Sequence, residues 1–316
     1  MRKIIVAALA FLVMASSAFA AYPEKSIQVV IPWGPGGSSD ISARIVADKM
    51  KKYLPQPLVI TNLTGALGLN GARQVLNARP DGYTLLWEHP GNLAVAPIVT
   101  KSDFRWNDLE PVCTVVRSDM VMIVPKDSPF KNAGDVFEAI KKAPGTVRWS
   151  IALNGVSHFA YLAMAESLGV DLKVILVPSP GDKARVVSML GGNCDVTCVS
   201  YAAAEPYIKS GDIRPVAMVN SQRSQFAKDV PTLIEQGVNV TYDYLCAVFT
   251  TKGTPDEVRE ILAEAFQKVM KDPETIKALE AQSFTPDFKD RESTVKIWTE
   301  AATLYESLIK KYNLIK

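Results

Sequence analysis

Two hydrophobic periods alternate along the chain. SIQVVIPW is a β-rich run, and the stretch from Ser38 to Leu54 reads as a helix. PLVIT predicts a strand, Asn70 to Ala78 a helix, and YTLLWE a third strand. PVCTVV and MVMIVPK follow as strands and DVFEAIKKAP as a helix. VRWSIA and the helix from Ser157 to Leu168 repeat the pair. KVILVP, a helix over ARVVSMLGG, DVTCVS, a helix over AAAEPYIKSG and RPVAMV continue it. The tail is helical, over Thr254 to Lys271, Pro273 to Gln282 and Arg291 to Tyr312. Alternation of this kind predicts α/β layers with mostly parallel strands.

The opening MRKIIVAALAFLVMASSAFA follows a different rule. Arg2 and Lys3 precede an apolar run from Ile4 to Ala15, and Ala18-Phe19-Ala20 offers a small-x-small cleavage site. That is the pattern of a cleaved secretory signal over residues 1–20, with Ala21 the first mature residue. No later run is apolar for the ~18 residues a membrane span needs. The remaining length suits about two domains. Glycine-serine linkers and charge blocks are missing between them, which predicts a chain that crosses between lobes more than once. MVMIVPK and YLCAVFTTKG are the candidate crossings.

Charge changes the picture by exclusion. The chain holds 35 basic and 33 acidic residues, and the leader holds two of the basic ones, leaving the mature protein formally neutral. A nucleic-acid surface would show a basic excess, so no nucleic-acid partner is expected. Cys113, Cys194, Cys198 and Cys246 are exported into a compartment that permits disulfides. A Cys194–Cys198 bridge does not fit a strand, where four residues span about 13 Å against the roughly 7 Å that a bridge allows. A Cys113–Cys246 bridge stays open. His89 and His158 form no recognisable ligand pair with these cysteines, so neither a metal nor a cofactor is expected.

Three turns of one kind carry the candidate chemistry. WGPGGSSD (Trp33 to Asp40), TNLTGALGLNGA (Thr61 to Ala72) and IALNGVSHFA (Ile151 to Ala160) each join a strand to a helix through glycine and small polar residues. A helix start leaves N–H groups unpaired and carries about half a positive charge. Several such starts facing one cleft would hold an anion with neutral parts. WGPGGSSD lacks the lysine of a phosphate loop, the spacing of a dinucleotide fingerprint and the G-x-S-x-G of a nucleophile elbow. Ser38 or Ser39 as a nucleophile with His89 or His158 is the weaker alternative. Locally, Ser38 or Ser39 would cap the helix and Asp40 would complement its dipole.

These residues resemble a family. IQVVIPWGPGGSSDISARIVADKM is similar to the first strand and helix of the Bug (TctC-like) solute-binding proteins of tripartite tricarboxylate transporters. Asn62 with Gly65-Ala66 and Gly68, PDGYTLL, Ser157-His158, LGGNCDV, VPTLIEQG and KGTPDEV resemble its later motifs in order, over residues 22–316. The resemblance implies a type II-like, two-lobed periplasmic binding protein of mixed sheets flanked by helices, with a two-strand hinge. Lobe 1 would be 21–119 plus 247–316 and lobe 2 would be 120–246. It implies a small organic acid as ligand, no catalysis, permease subunits as membrane partners and a monomer; an amine-binding Glu88 would make that acid amino-acid-like, and an aromatic acid is the other candidate. A sensory module using the same fold for a membrane receptor is the alternative role.

By that resemblance Gly36, Gly37, Ser38 and Asp40 belong to the first binding loop and Gly65, Ala66 and Gly68 to the second. Ser157 and His158 face them from the other lobe. The chain departs from the family pattern at Leu63, Thr64 and Leu67, at Ser179 within Pro178-Ser179-Pro180-Gly181, at Ser200 and Tyr201, and at Trp87-Glu88-His89. These departures count against citrate-like ligands. Glu88, at a strand end, would pair with a ligand amine or hydroxyl, or else cap a helix or face solvent. His89 would tune affinity near neutral pH or act as a structural hydrogen-bonder. Trp33 is read as a wall of the cleft, with Tyr201 and Tyr244 as further aromatic candidates. Asp243 would meet a cationic ligand group or stay in a surface loop.

Overall fold

Ile27–Ile31 (β1) buries Ile27, Val29, Val30 and Ile31, and the first layer grows from it. In the computed structural model, which describes residues 22–242 and 244–315, this strand pairs in parallel with Leu58–Asn62 (β2) and Thr84–Glu88 (β3). The proposed leader and Asp243 lie outside the described residues. Ser38–Met50 (α1) and Leu69–Leu76 (α2) are the crossover helices. Leu109–Ser118 (β4), Tyr244–Thr251 (β10) and Phe284–Lys289 (β11) complete a mixed six-stranded sheet in the order β11-β4-β10-β3-β1-β2.

The second lobe repeats the plan on five strands. Arg148–Ile151 (β6) pairs in parallel with Ile175–Pro178 (β7) and Val196–Ser200 (β8). Met120–Pro125 (β5) lies antiparallel between β8 and Ile213–Met218 (β9). Ala133–Lys142 (α5), Val156–Ser167 (α6), Asp182–Leu190 (α7) and Tyr201–Lys209 (α8) flank this sheet. The molecule is therefore a two-lobed α/β protein of mixed sheets.

Two crossings join the lobes. β4 runs into β5 through the single residue Asp119, and the chain returns after β9 into β10. The Met120 N–H donates to the Asn220 side-chain oxygen at 2.9 Å, so the crossings are tied to each other. After Asp256–Lys271 (α9) and Pro273–Glu280 (α10), the last helix, Arg291–Lys311 (α11), spans both lobes. Its Trp298 belongs to the core under the first sheet, while Ala302, Tyr305, Leu308 and Ile309 pack with Trp149 and Phe159 of the second.

Several elements differ from the sequence reading. The first helix stops at Met50 rather than Leu54. FTPDFK, read as no element, forms the edge strand β11, and Pro90–Leu93 (α3) and Ala96–Val99 (α4) follow β3 as short helices. All four cysteines are free and buried. The β4–β10 register sets Cys246 opposite Val116 and Cys113 opposite Val248, so these two thiols do not face each other. Among the described residues no helix is long and apolar enough to cross a membrane, and no cluster of three or more His, Cys, Asp or Glu is placed to hold a metal.

Candidate functional site

In open parallel sheets ligands collect beyond the carboxyl ends of the strands. Here the segments after β1, β2, β3, β6 and β7 enclose one cavity of about 670 Å³ between the lobes. That volume falls within the range for small-molecule sites. Pro32 to Ser39, Thr64 to Gly68, and His89 with Asn92 line it from the first lobe, apart from Gly36. Ala152, Val156 and Pro180 to Val187, apart from Val186, line it from the second, and Tyr244 from the returning crossing.

Helix starts dominate the lining. Gly37 is the N-cap of α1, Gly68 of α2 and Gly181 of α7, and Val156 is the first residue of α6. Each helix is eight residues or longer and presents unpaired N–H groups in its first turn. Gly68 holds φ +86°, and a Cβ there would meet Glu88 Oε2 and Asn92 Nδ2 at 3.3 Å, so glycine is required both for the turn and for the close approach. Ala66 and Leu67 adopt φ of +47° and +56°, a region that non-glycine residues seldom occupy.

The charged lining residues come from one helix turn. Asp182 and Arg185 form an ion pair with side chains 9% and 4% exposed. Asp182 also accepts from Ser38 Oγ at 3.2 Å and from the Ser200 N–H at 3.3 Å, and Ser38 Oγ contacts Ser200 Oγ. Because Ser38 belongs to the first lobe and Asp182 to the second, these bonds fasten the lobes beside the cavity. Arg185 Nε donates to the Cys198 carbonyl at 3.2 Å. Lys183 is exposed at the rim.

Below Trp33 lies a buried acid–imidazole pair. Trp33 Nε1 donates to the Glu88 carboxyl at 3.2 to 3.3 Å, and the His89 N–H donates to Glu88 Oε1 at 2.8 Å. Burial raises the Glu88 carboxyl to about 8, with those two donors only partly offsetting it. Burial lowers the His89 imidazole to about 3, against a smaller opposing pull from Asp182. With His89 neutral, the 3.3 Å approach of its Nε2 to Glu88 Oε1 is not an ion pair. His89 Nδ1 is buried with no hydrogen-bond partner.

The residues expected to bind divide into two groups. Trp33, Gly37, Ser38, Gly65, Ala66, Gly68 and His89 line the cavity. Gly36, Asp40, Glu88, Ser157, His158, Ser179, Ser200 and Tyr201 do not line it; they brace it. Asp40 accepts from the Gly36 N–H at 2.9 Å, from Arg44 and from Asn62. Burial would raise its carboxyl, but these donors outweigh burial and hold it below its ordinary value. Glu88 is 2% exposed and both its oxygens are engaged, so it is not available to a ligand amine. Ser157 Oγ accepts from the Ala152 N–H, and His158 Nδ1 from the Asn154 N–H, so both shape the β6–α6 turn. Burial lowers the His158 imidazole to about 4. Ser179 donates its N–H to the Ile151 carbonyl and Tyr201 its hydroxyl to the Phe226 carbonyl. Asp243 lies outside the described residues.

The sequence reading missed Asp182, Lys183, Arg185 and Asn92. Gly181-Asp182 directly after a strand was a helix-start signal in the sequence. Asn92 carried no such signal; its side chain donates to the Leu67 carbonyl at 2.8 Å and holds the second loop.

A family model described as the tripartite tricarboxylate transporter family receptor matches residues 42–314. A relative from Agrobacterium vitis, encoded in the ttuE–ttuC′ intergenic region, is 30% identical over 272 residues, 85% of this chain and 78% of the relative. A solved structure described as that of a periplasmic transporter is 32% identical, with a TM-score of 0.85 over 93% of this chain and 99% of its own. The periplasmic binding protein BugD is 26% identical, with a TM-score of 0.84 over 93% of this chain and 100% of its own.

Proposed function

This chain belongs to the tripartite tricarboxylate transporter receptor family, and from that premise we propose that it is an extracytoplasmic solute-binding protein. It captures a small carboxylate-bearing solute between its lobes and delivers it to the permease subunits of a tripartite transporter. Residues 1–20 export it to the periplasm. The observation that carries this reading is the convergence of helix starts from both lobes on one cavity. Their unpaired N–H groups suit a carboxylate without a surplus of basic side chains. A charge-assisted hydrogen bond contributes about 1.5–3 kcal/mol, and micromolar binding needs about 8 kcal/mol. Four or five such contacts supply that after ordering costs.

The lobes, 21–119 with 247–316 against 120–246, except that Tyr244 to Cys246 belong to β10 of the first sheet, close about the two crossings, with the end of α11 riding on the second lobe. Ser38 and Ser39 serve closure and packing in this reading. Ser38 bonds Asp182 and Ser200, and Ser39 bonds the Tyr244 hydroxyl at 2.9 Å. A thermal-shift panel of carboxylic acids, amino acids and neutral sugars tests the proposal. An acid at a hundred times its dissociation constant should stabilise the protein by about 2.7 kcal/mol. Stabilisation by neutral sugars and by no acid would sink it.

A further inference from the structure

Resting on the carboxylate reading, we propose that Lys183 is a specificity-determining residue of the cavity. Its ammonium, carried by the second lobe and laid against the first, makes the closed cleft prefer an acid to a neutral molecule of the same shape. Lys183 is the second residue of α7 and lines the cavity. A Cβ placed on Gly36 would lie 3.6 Å from Lys183 Nζ, so the side chain crosses between the lobes to the first glycine loop. Gly36 directly precedes Gly37, the N-cap of α1. The ammonium therefore stands beside one helix start while its own backbone belongs to another.

This placement runs against helix electrostatics. The start of a helix carries about half a positive charge, so acids are favoured in the first turn and cations in the last. α1 itself follows the rule, with Asp40 in its first turn and Lys49 in its last. Lys183 reverses the rule at two helices at once. The neighbouring acids do not answer it. Asp182 is committed to Arg185, Ser38 and the Ser200 N–H, and Asp40 to Arg44, Asn62 and the Gly36 N–H. Among the described residues Lys183 has no hydrogen bond or ion pair. A local rule broken without compensation is expected at functional sites. An anion between the two helix starts removes the conflict, because it attracts the ammonium and both sets of N–H groups together.

The N–H groups alone discriminate less well. They donate to the oxygen of a neutral amide as well as to a carboxylate, whereas an ammonium gains its Coulomb attraction only from the charged form. The helix starts thus hold the solute and Lys183 selects its charge. Arg185 does not share this role, since Asp182 answers its charge.

Calorimetry with succinate, glutarate and benzoate, each beside its amide, tests this on the purified protein, on Lys183→Gln and on Lys183→Arg. In Lys183→Gln the tightest of these acids should bind about tenfold more weakly, as loss of one charge-assisted contact allows, and its amide less than about threefold more weakly. Lys183→Arg should stay within about threefold of the unaltered protein for both. The urea midpoint of ligand-free Lys183→Gln should equal or exceed that of the unaltered protein, because a misplaced cation has gone. A lowered midpoint would give the lysine a structural role instead. Acid affinity unchanged in Lys183→Gln, or acid and amide weakened alike, would overturn this inference and leave the carboxylate reading standing. Binding of no acid to the unaltered protein would overturn the carboxylate reading itself, and this inference with it.

Discussion

Asp182→Ala should destabilise the protein by about 3–5 kcal/mol, read as a lowered urea midpoint. The carboxylate is nearly buried and holds Arg185, Ser38 Oγ and the Ser200 N–H together. Its removal leaves Arg185 as a buried cation whose remaining bond is to the Cys198 carbonyl. Removing both charges is gentler than removing one, because the uncompensated ion is the larger penalty. Asp182→Leu with Arg185→Met should therefore unfold at higher urea than Asp182→Ala alone. The same single variant breaks the bond between the lobes, so small-angle scattering should show a more open molecule. A loss below about 1 kcal/mol would mean that Arg185 reaches water, and that the pair is not sealed as described.

Glu88→Gln should remove a decline in stability that the unaltered protein shows between pH 6.5 and 8. Glu88 has its folded pKa raised from 4.5 to about 8. Over that interval the folded state keeps a proton that the unfolded state has lost. The stabilisation is complete below the unfolded value and is lost as pH rises through the folded one. His89 and His158 run the other way. Their folded values of about 3 and about 4 lie below 6.5, so their contribution is complete above 6.5 and is lost as pH falls. Stability should peak near pH 6.5 and fall by about 1 kcal/mol toward pH 8, the loss at Glu88 being partly offset by the last of the histidine gain. The buried thiols of Cys194, Cys198 and Cys246, raised to about 11 or 12, act only at higher pH. Urea titrations of both proteins at several pH values isolate Glu88 by difference. A decline that persists in Glu88→Gln would show that this carboxyl is already ionised at neutral pH.

Much of the fold was legible because its strands are continuous β-rich runs bounded by glycine turns. IQVVI, TLLWE and VTCVS form strands where the pattern places them. FTPDFK was not legible, since a proline inside a short run argues against a strand, and only edge pairing with β4 accommodates it. α3 and α4 were hidden in an apolar stretch whose period is buried on every side. The binding loops were visible as glycine turns, because backbone conformation is written locally. The pairing of Asp182 with Arg185, its reach to Ser38 144 residues away, and the burial of Glu88 are tertiary facts. No local spacing encodes them. Glu88 shows the difference most clearly. A carboxylate at a strand end is ordinarily solvated, yet here Trp33 and His89 cover it and turn it from a ligand group into a support.

The central claim is that the cavity holds a carboxylate on helix starts. The most direct measurement is a calorimetric titration of the purified protein with the acid that gives the largest thermal shift, beside the primary amide of the same acid. The two share size and shape and differ in charge. Charge-assisted contacts to several N–H groups should make the acid bind about thirtyfold tighter or more. An amide that binds as tightly as its acid would contradict the account, because the helix starts would then be holding no anion.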